Sequence, residues 1–134
     1  MSDRDHAQYM LAMAYGDIRA LRGMLQSAVD NPEKDFFTDE IFGFHAQQAA
    51  EKILKARIAS LDGFYTKTHD LMALLNILNE LGEDISGLMD LVDLNLFAVQ
   101  YRYESFAADE DELDREALIV TVEELFDEIR KKLS

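Results

Sequence analysis

Between residues 4 and 29, Met10, Leu11, Ala14, Ile18, Leu21 and Leu25 recur at the three- and four-residue spacing of one helix face, with polar residues between them. The spacing predicts a first amphipathic helix. It should end near Asp30-Asn31-Pro32, because proline pushes the residue before it out of helical geometry. Gly16 and Gly23 fall inside it, each costing about 1 kcal/mol against alanine, so a bend or a close approach is expected there. The link from Glu33 to Gly43 holds Phe36, Phe37, Ile41 and Phe42, which read either as anchors to a core or as an exposed partner-binding patch. Thr38 or Asp39 can cap a second helix, roughly 39 to 61, and Asp62-Gly63 supplies the following turn. Thr66 or Thr68 can cap a third helix, whose core stripe is Leu71, Leu74, Leu75, Leu78 and Leu81. Gly82 and Gly87 bracket a break before a fourth helix, which carries Leu88, Leu91, Val92, Leu96 and Val99, with Asn95 beside the stripe, and closes on Tyr101-Arg102-Tyr103. Residues 105 to 112, ending in Asp109-Glu110-Asp111-Glu112, read as a solvated linker. A last helix places Leu118, Val122, Leu125, Ile129 and Leu133 on one side and ends in Arg130-Lys131-Lys132, favourable for its dipole. Five amphipathic helices, with no strand run bounded by turn signals, predict an all-α bundle of mostly up-and-down connections.

Length and composition narrow the setting. A chain of 134 residues with a single proline fits one compact domain, 1–134, able to bury about two-thirds of its unfolded surface without staples. The absence of cysteine excludes disulfides, thiolate metal sites and a cysteine nucleophile. The start of the chain lacks the pattern of a signal peptide, and no apolar run approaches the roughly 20 residues of a membrane span, so a cytoplasmic protein that does not engage membranes is expected. A formal charge of −14 argues against extended nucleic-acid binding, which relies on clustered lysine and arginine. Phe44 to Leu71 departs from the average: Lys52, Lys55, Arg57 and Lys67 outnumber Glu51, Asp62 and Asp70. That stretch reads as a local anion site or as a mixed solvated surface.

On the second helix, at 100° per residue, His45, Ala49, Lys52 and Ala56 fall in one narrow sector with Gln48 and Lys55 beside it. The small alanines would let a ligand or another backbone approach two basic groups and an amide. The opposite arc, Phe44, Ala46, Ala50, Ile53, Leu54 and Ile58, is interrupted by Gln47, Glu51 and Arg57, which need partners wherever they are buried. Gln47 or Glu51 could pair with Arg102 across the bundle, or meet water at the margin. His69 and Asp70 are placed in the first turn of the third helix, where free N–H groups favour an external anion or the Asp70 carboxylate itself. Arg102, between two tyrosines, suits either its helix terminus or a forked contact to phosphate or carboxylate.

The string Phe44-His45-Ala46-Gln47-Gln48-Ala49-Ala50-Glu51-Lys52-Ile53-Leu54-Lys55-Ala56, followed by Thr68-His69-Asp70-Leu71 and by Tyr101-Arg102-Tyr103, resembles the HEPN (higher eukaryotes and prokaryotes nucleotide-binding) domain family over roughly residues 4 to 132. The resemblance implies a bundle of four core helices with an extra one, commonly paired as a homodimer and often encoded beside, or fused to, a minimal nucleotidyltransferase. Some branches of that family bind nucleotides; others cleave RNA without metal in toxin–antitoxin systems. The ribonuclease branch depends on an arginine followed after four to six residues by a histidine, and this chain has no such pair. Its absence removes the expected acid–base group for attack by a ribose 2′-hydroxyl. Tyr101-Arg102-Tyr103 resembles the stand-alone or nucleotidyltransferase-linked branch, with Glu104 where a proline is common.

No phosphate-binding glycine loop, HExxH or GxSxG motif is present, and three scattered histidines argue against a metal site, so neither a cofactor nor a metal is expected. The leading expectation is a non-catalytic HEPN-like module that binds a nucleotide or a nucleotidyltransferase partner. Its candidate contacts are His45, Gln48, Lys52, Lys55, His69, Asp70, Arg102 and Tyr103. Two alternatives stand beside it: a ribonuclease with a non-standard site using His45 or His69, and a purely structural dimerising module in which the same residues form a buried network or a dimer seam.

Overall fold

The computed structural model describes residues 3–32, 37–97 and 113–133. Among the described residues, four α-helices and one 3-10 helix follow in order: α1 (Asp3–Asp30), α2 (Asp39–Ser60), α3 (Leu71–Glu80), the 3-10 helix (Ser86–Phe97) and α4 (Arg115–Leu133). Among the described residues there is no strand, in keeping with an all-α bundle. No helix among them is long and apolar enough to cross a membrane.

The bundle is built around α2, which packs against each of the other four elements. Its burial explains why. Phe42, Ala46, Ala49, Ala50, Ile53, Leu54, Ala56 and Ile58 are fully buried and spread almost round the whole helix. Such a helix belongs at the centre of the bundle, with only a narrow edge that includes His45, Gln48 and Lys52 left partly exposed. Its neighbours, by contrast, bury one stripe each: Ala7, Leu11, Ala14, Ile18 and Leu21 on α1, Leu71, Leu74, Leu75 and Leu78 on α3, and Ile119, Val122, Leu125 and Ile129 on α4. The alanine-rich face of α2 is fully covered.

Local chemistry sets the helix ends. The hydroxyl of Thr38 accepts from the Ile41 N–H at 3.2 Å and opens α2. After Ser60 the chain turns through Asp62, at φ 59°, and the Gly63 N–H donates to the Ile58 carbonyl at 2.9 Å. A Cβ at Gly63 would lie 2.6 Å from the end of the Leu81 side chain and 3.1 Å from Ile58, so the α2–α3 turn packs closely against the end of α3, and a larger residue there would make Leu81 shift. Arg115 ties the start of α4 to the start of α2, with Nε 2.9 Å from Asp39 Oδ1 and Nη2 donating to the Phe37 carbonyl at 2.8 Å. Phe37 and Ile41 pack against the core and Phe42 is buried in it, so these link aromatics act as anchors. Phe36 lies outside the described residues.

Two expectations change. First, α3 begins at Leu71, not at the threonines: Asp70 is its N-cap, accepting from the Met72 N–H at 2.9 Å, while Thr68 accepts from the Asp70 N–H at 3.0 Å. His69 and Asp70 therefore precede the helix. Second, the segment expected as an α-helix from Leu88 onward is wound as a 3-10 helix over twelve residues. Its buried positions, Leu91, Leu94 and Phe97, recur every third residue, the repeat of that helix, whereas Leu96 is 42% exposed. Val99, Tyr101, Arg102, Tyr103 and the acidic linker lie outside the described residues.

Candidate functional site

Two groups of polar side chains run along α2, each built on one carboxylate. The first is centred on Asp17 of α1. Its Oδ1 lies 3.0 Å from Nδ1 of His45, and its Oδ2 accepts from the Lys52 ammonium at 2.6 Å. His45 and Lys52 are two helical turns apart on α2, so one carboxylate spans their row. All three side chains are partly shielded, with 11% of Asp17, 28% of His45 and 19% of Lys52 exposed.

The second group is centred on Glu51, which is 4% exposed. A buried carboxylate stays charged only where donors replace water, and Glu51 has three. Its Oε2 accepts from Lys55 at 2.9 Å, while its Oε1 accepts from Gln47 at 3.1 Å and lies 2.8 Å from His69 Nδ1. Gln47 also donates to the His69 carbonyl at 2.9 Å and accepts from Gln48 at 2.8 Å. Among the described residues no buried side-chain polar atom is left without a partner.

The Glu51 group continues through aromatic contacts. The Lys55 ammonium lies 5.4 Å from the centroid of the Tyr65 ring, a favourable cation–π distance. The Tyr65 hydroxyl is in turn 2.6 Å from His6 Nε2 on α1. Burial, and then the negative charge of Glu51, push the Tyr65 phenol above its ordinary pKa. Asp70 belongs to neither group: besides capping α3 it accepts from the Asn95 amide at 2.8 Å, and Asn95 Oδ1 accepts from the Leu71 N–H at 2.9 Å. The 3-10 helix is thereby pinned to the start of α3.

His45 and Lys52 thus share Asp17, whereas Gln48, Lys55 and His69 join the Glu51 network, with Gln48 standing on the row between the two groups. Gln47 and Glu51 find their partners within α2 and at His69, not at the margin. Arg102 and Tyr103 lie outside the described residues. Two participants, Asp17 and Tyr65, carry no sequence signal as strong as the motif residues. Asp17 and Tyr65 meet the network across the fold, at separations local periodicity does not reach. Lys55 was legible as a partner of Glu51 from its position four residues on.

Outside Asp17, the same side of α1 presents Tyr9, 53% exposed, and Met13, 44% exposed, about two turns and one turn before it respectively. A Cβ at Gly16 would meet nothing within 4 Å, so this edge is open. Aromatic and methionine side chains beside a polar band have the composition of a protein interface. Among the described residues no group of three or more His, Cys, Asp or Glu could hold a metal ion.

A family model described as the HEPN domain matches residues 20–132. No curated protein and no solved structure matches the chain.

Proposed function

The chain belongs to the HEPN domain family, and from that premise we propose that it is a non-catalytic binding module of the stand-alone, nucleotidyltransferase-associated kind. Its working surface is the open edge formed by Tyr9, Met13 and Gly16 on α1 with His45, Gln48 and Lys52 on α2. A second copy of the chain is the first occupant of this edge, and the resulting dimer receives a minimal nucleotidyltransferase, as in a toxin–antitoxin pair, or a nucleotide.

The observation that carries this reading is the charge pairing of the motif lysines. Lys52 and Lys55 are held by Asp17 and Glu51 at 2.6 and 2.9 Å. In a chain of formal charge −14, neither lysine offers unspent charge to a phosphate, while the neighbouring Tyr9 and Met13 offer apolar area to a protein.

Thermal unfolding against a nucleotide panel, with and without magnesium, separates the two classes of partner. A ligand at about 100 times its dissociation constant stabilises by about 2.7 kcal/mol, a shift of several degrees. The protein-partner reading expects no base-selective shift, together with saturable binding to a minimal nucleotidyltransferase. A base-selective shift lost in Lys52→Ala would make the module a nucleotide binder instead.

One observation favours a second, enzymatic reading. His45 and His69 each hold a carboxylate through Nδ1, which leaves Nε2 for proton transfer, the orientation used by general bases. RNA cleavage by the wild-type chain that disappears in His45→Ala or His69→Ala would establish this ribonuclease reading; cleavage that persists in the double variant would dismiss it.

A further inference from the structure

At the far end of α2, about three turns beyond Gln48, helix ends from three elements surround a cavity of about 190 Å³. The first turn of α1 contributes Arg4, the end of α2 contributes Arg57 and Ser60, the following turn contributes Asp62, and the end of α4 contributes Lys132. Three cations thus line one small space in a strongly acidic chain.

The donors of these cations are only partly spent. Arg57 gives one edge of its guanidinium to Glu83, and its Nη1 donates to the Ser60 hydroxyl at 3.3 Å. The Lys132 ammonium stands 3.7 Å from Glu83 and 3.6 Å from Glu128, ion pairs beyond ordinary hydrogen-bond reach. Arg4 has no hydrogen-bond or ion-pair partner among the described residues.

Helix dipoles account for two of the three. Arg57 and Lys132 sit in the last turns of α2 and α4, where a cation is favoured. Arg4 has no such explanation, because it sits in the first turn of α1, where the positive dipole end favours acids such as its neighbours Asp3 and Asp5. Arg4 is exposed and stands at the mouth of a cavity lined by two more cations, so its charge is available to an anion there.

We infer that this cavity is a phosphomonoester site, separate from the α1–α2 edge. Its volume is many times the roughly 10–15 Å³ that admits a single water, which leaves room for a phosphate group. Arg4 and Lys132 supply the charge, and Nη1 of Arg57 supplies a donor on the inner wall. Asp62 lines the same cavity, and its carboxylate would disfavour ligands of higher negative charge such as a polyphosphate.

Backbone amide chemical shifts of the full chain, titrated with inorganic phosphate against sodium chloride at matched ionic strength, test the inference. The chloride arm is needed because salt alone screens the self-repulsion of an acidic chain. Saturable, phosphate-specific shifts confined to residues 4–7, 57–62 and 132–133, at least tenfold weaker in Arg4→Ala/Lys132→Ala, are the expected result. Both substituted side chains are exposed, and circular dichroism checks that the double variant stays folded. Shifts that fail to saturate, that chloride reproduces, or that survive in the double variant would overturn it. Movement confined to residues 45–52 would overturn it too, placing the anion at the α1–α2 edge.

Discussion

His69, 61% exposed just before α3, reaches with Nδ1 to within 2.8 Å of Glu51, a carboxylate only 5% exposed in the middle of α2. A surface imidazole and a buried acid are thus in direct contact, and their unequal burial gives them unequal energetic weight. Removing one partner from a buried pair leaves an uncompensated charge and costs about 3–5 kcal/mol, whereas an exposed ion-pair partner contributes about 1 kcal/mol or less. His69→Ala is therefore expected to lose about 1 kcal/mol or less in urea unfolding. Lys55→Met, which strands Glu51, is expected to lose about 3–5 kcal/mol. Replacing both members, Glu51→Leu with Lys55→Met, should cost less than Lys55→Met alone.

Asp17 makes a parallel case at partial burial. Asp17→Ala leaves Lys52 without its carboxylate and His45 without an orienting partner. A loss of about 1.5–3 kcal/mol is expected by chemical denaturation, the range for a hydrogen bond that involves charge. In a double-mutant cycle with Lys52→Met the two losses should be less than additive, because both remove the same contact.

Gly43 sets the approach of the 3-10 helix to α2. A Cβ there would lie 2.5 Å from the Phe97 ring, which is itself 8% exposed and has little room to retreat. Gly43→Ala is expected to destabilise by about 1–3 kcal/mol through overpacking. Phe97→Leu in the same chain should recover part of that loss, measured by thermal unfolding.

How much of this was legible in the sequence depended on the range of the interaction. α1 and α2 follow from the spacing of Leu11, Ala14, Ile18 and Leu21 and from Thr38 before the motif helix, because stripes and caps are local signals. The 3-10 helix did not follow, since Leu88, Leu91 and Val92 satisfy a helical repeat of 3.6 nearly as well as one of three. Only the burial of Leu94 and Phe97 separates the two. In the candidate site, the polar interruptions Gln47 and Glu51 were visible, but their pairing with His69, and the contacts of Tyr65 with Lys55 and His6, were not, because tertiary packing brings them together. The pairing of Lys52 with Asp17, 35 residues earlier, has the same origin and reduces the anion-binding role suggested by the basic character of this stretch.

Tyr65 provides a pH prediction. Its phenol is raised above the ordinary value first by burial and then by Glu51, so the folded chain holds the proton more tightly than the unfolded chain. The associated stability is complete below the ordinary phenol pKa of about 10 and is lost as pH rises through the raised folded value. Subtracting the phenolate absorbance of Tyr65→Phe from that of the wild type should give a midpoint above 10, and the variant's alkaline loss of stability should be shallower.

The central claim is that the open α1–α2 edge seats a protein, with a second copy as its first occupant. Sedimentation equilibrium of the purified chain and of Met13→Arg tests it most directly, because Met13 is 44% exposed and its replacement need not disturb the fold. A dimer in the wild type, and a monomer of unchanged helical content in Met13→Arg, is the predicted result. A wild-type monomer at every concentration, or a dimer indifferent to Met13→Arg, would contradict it.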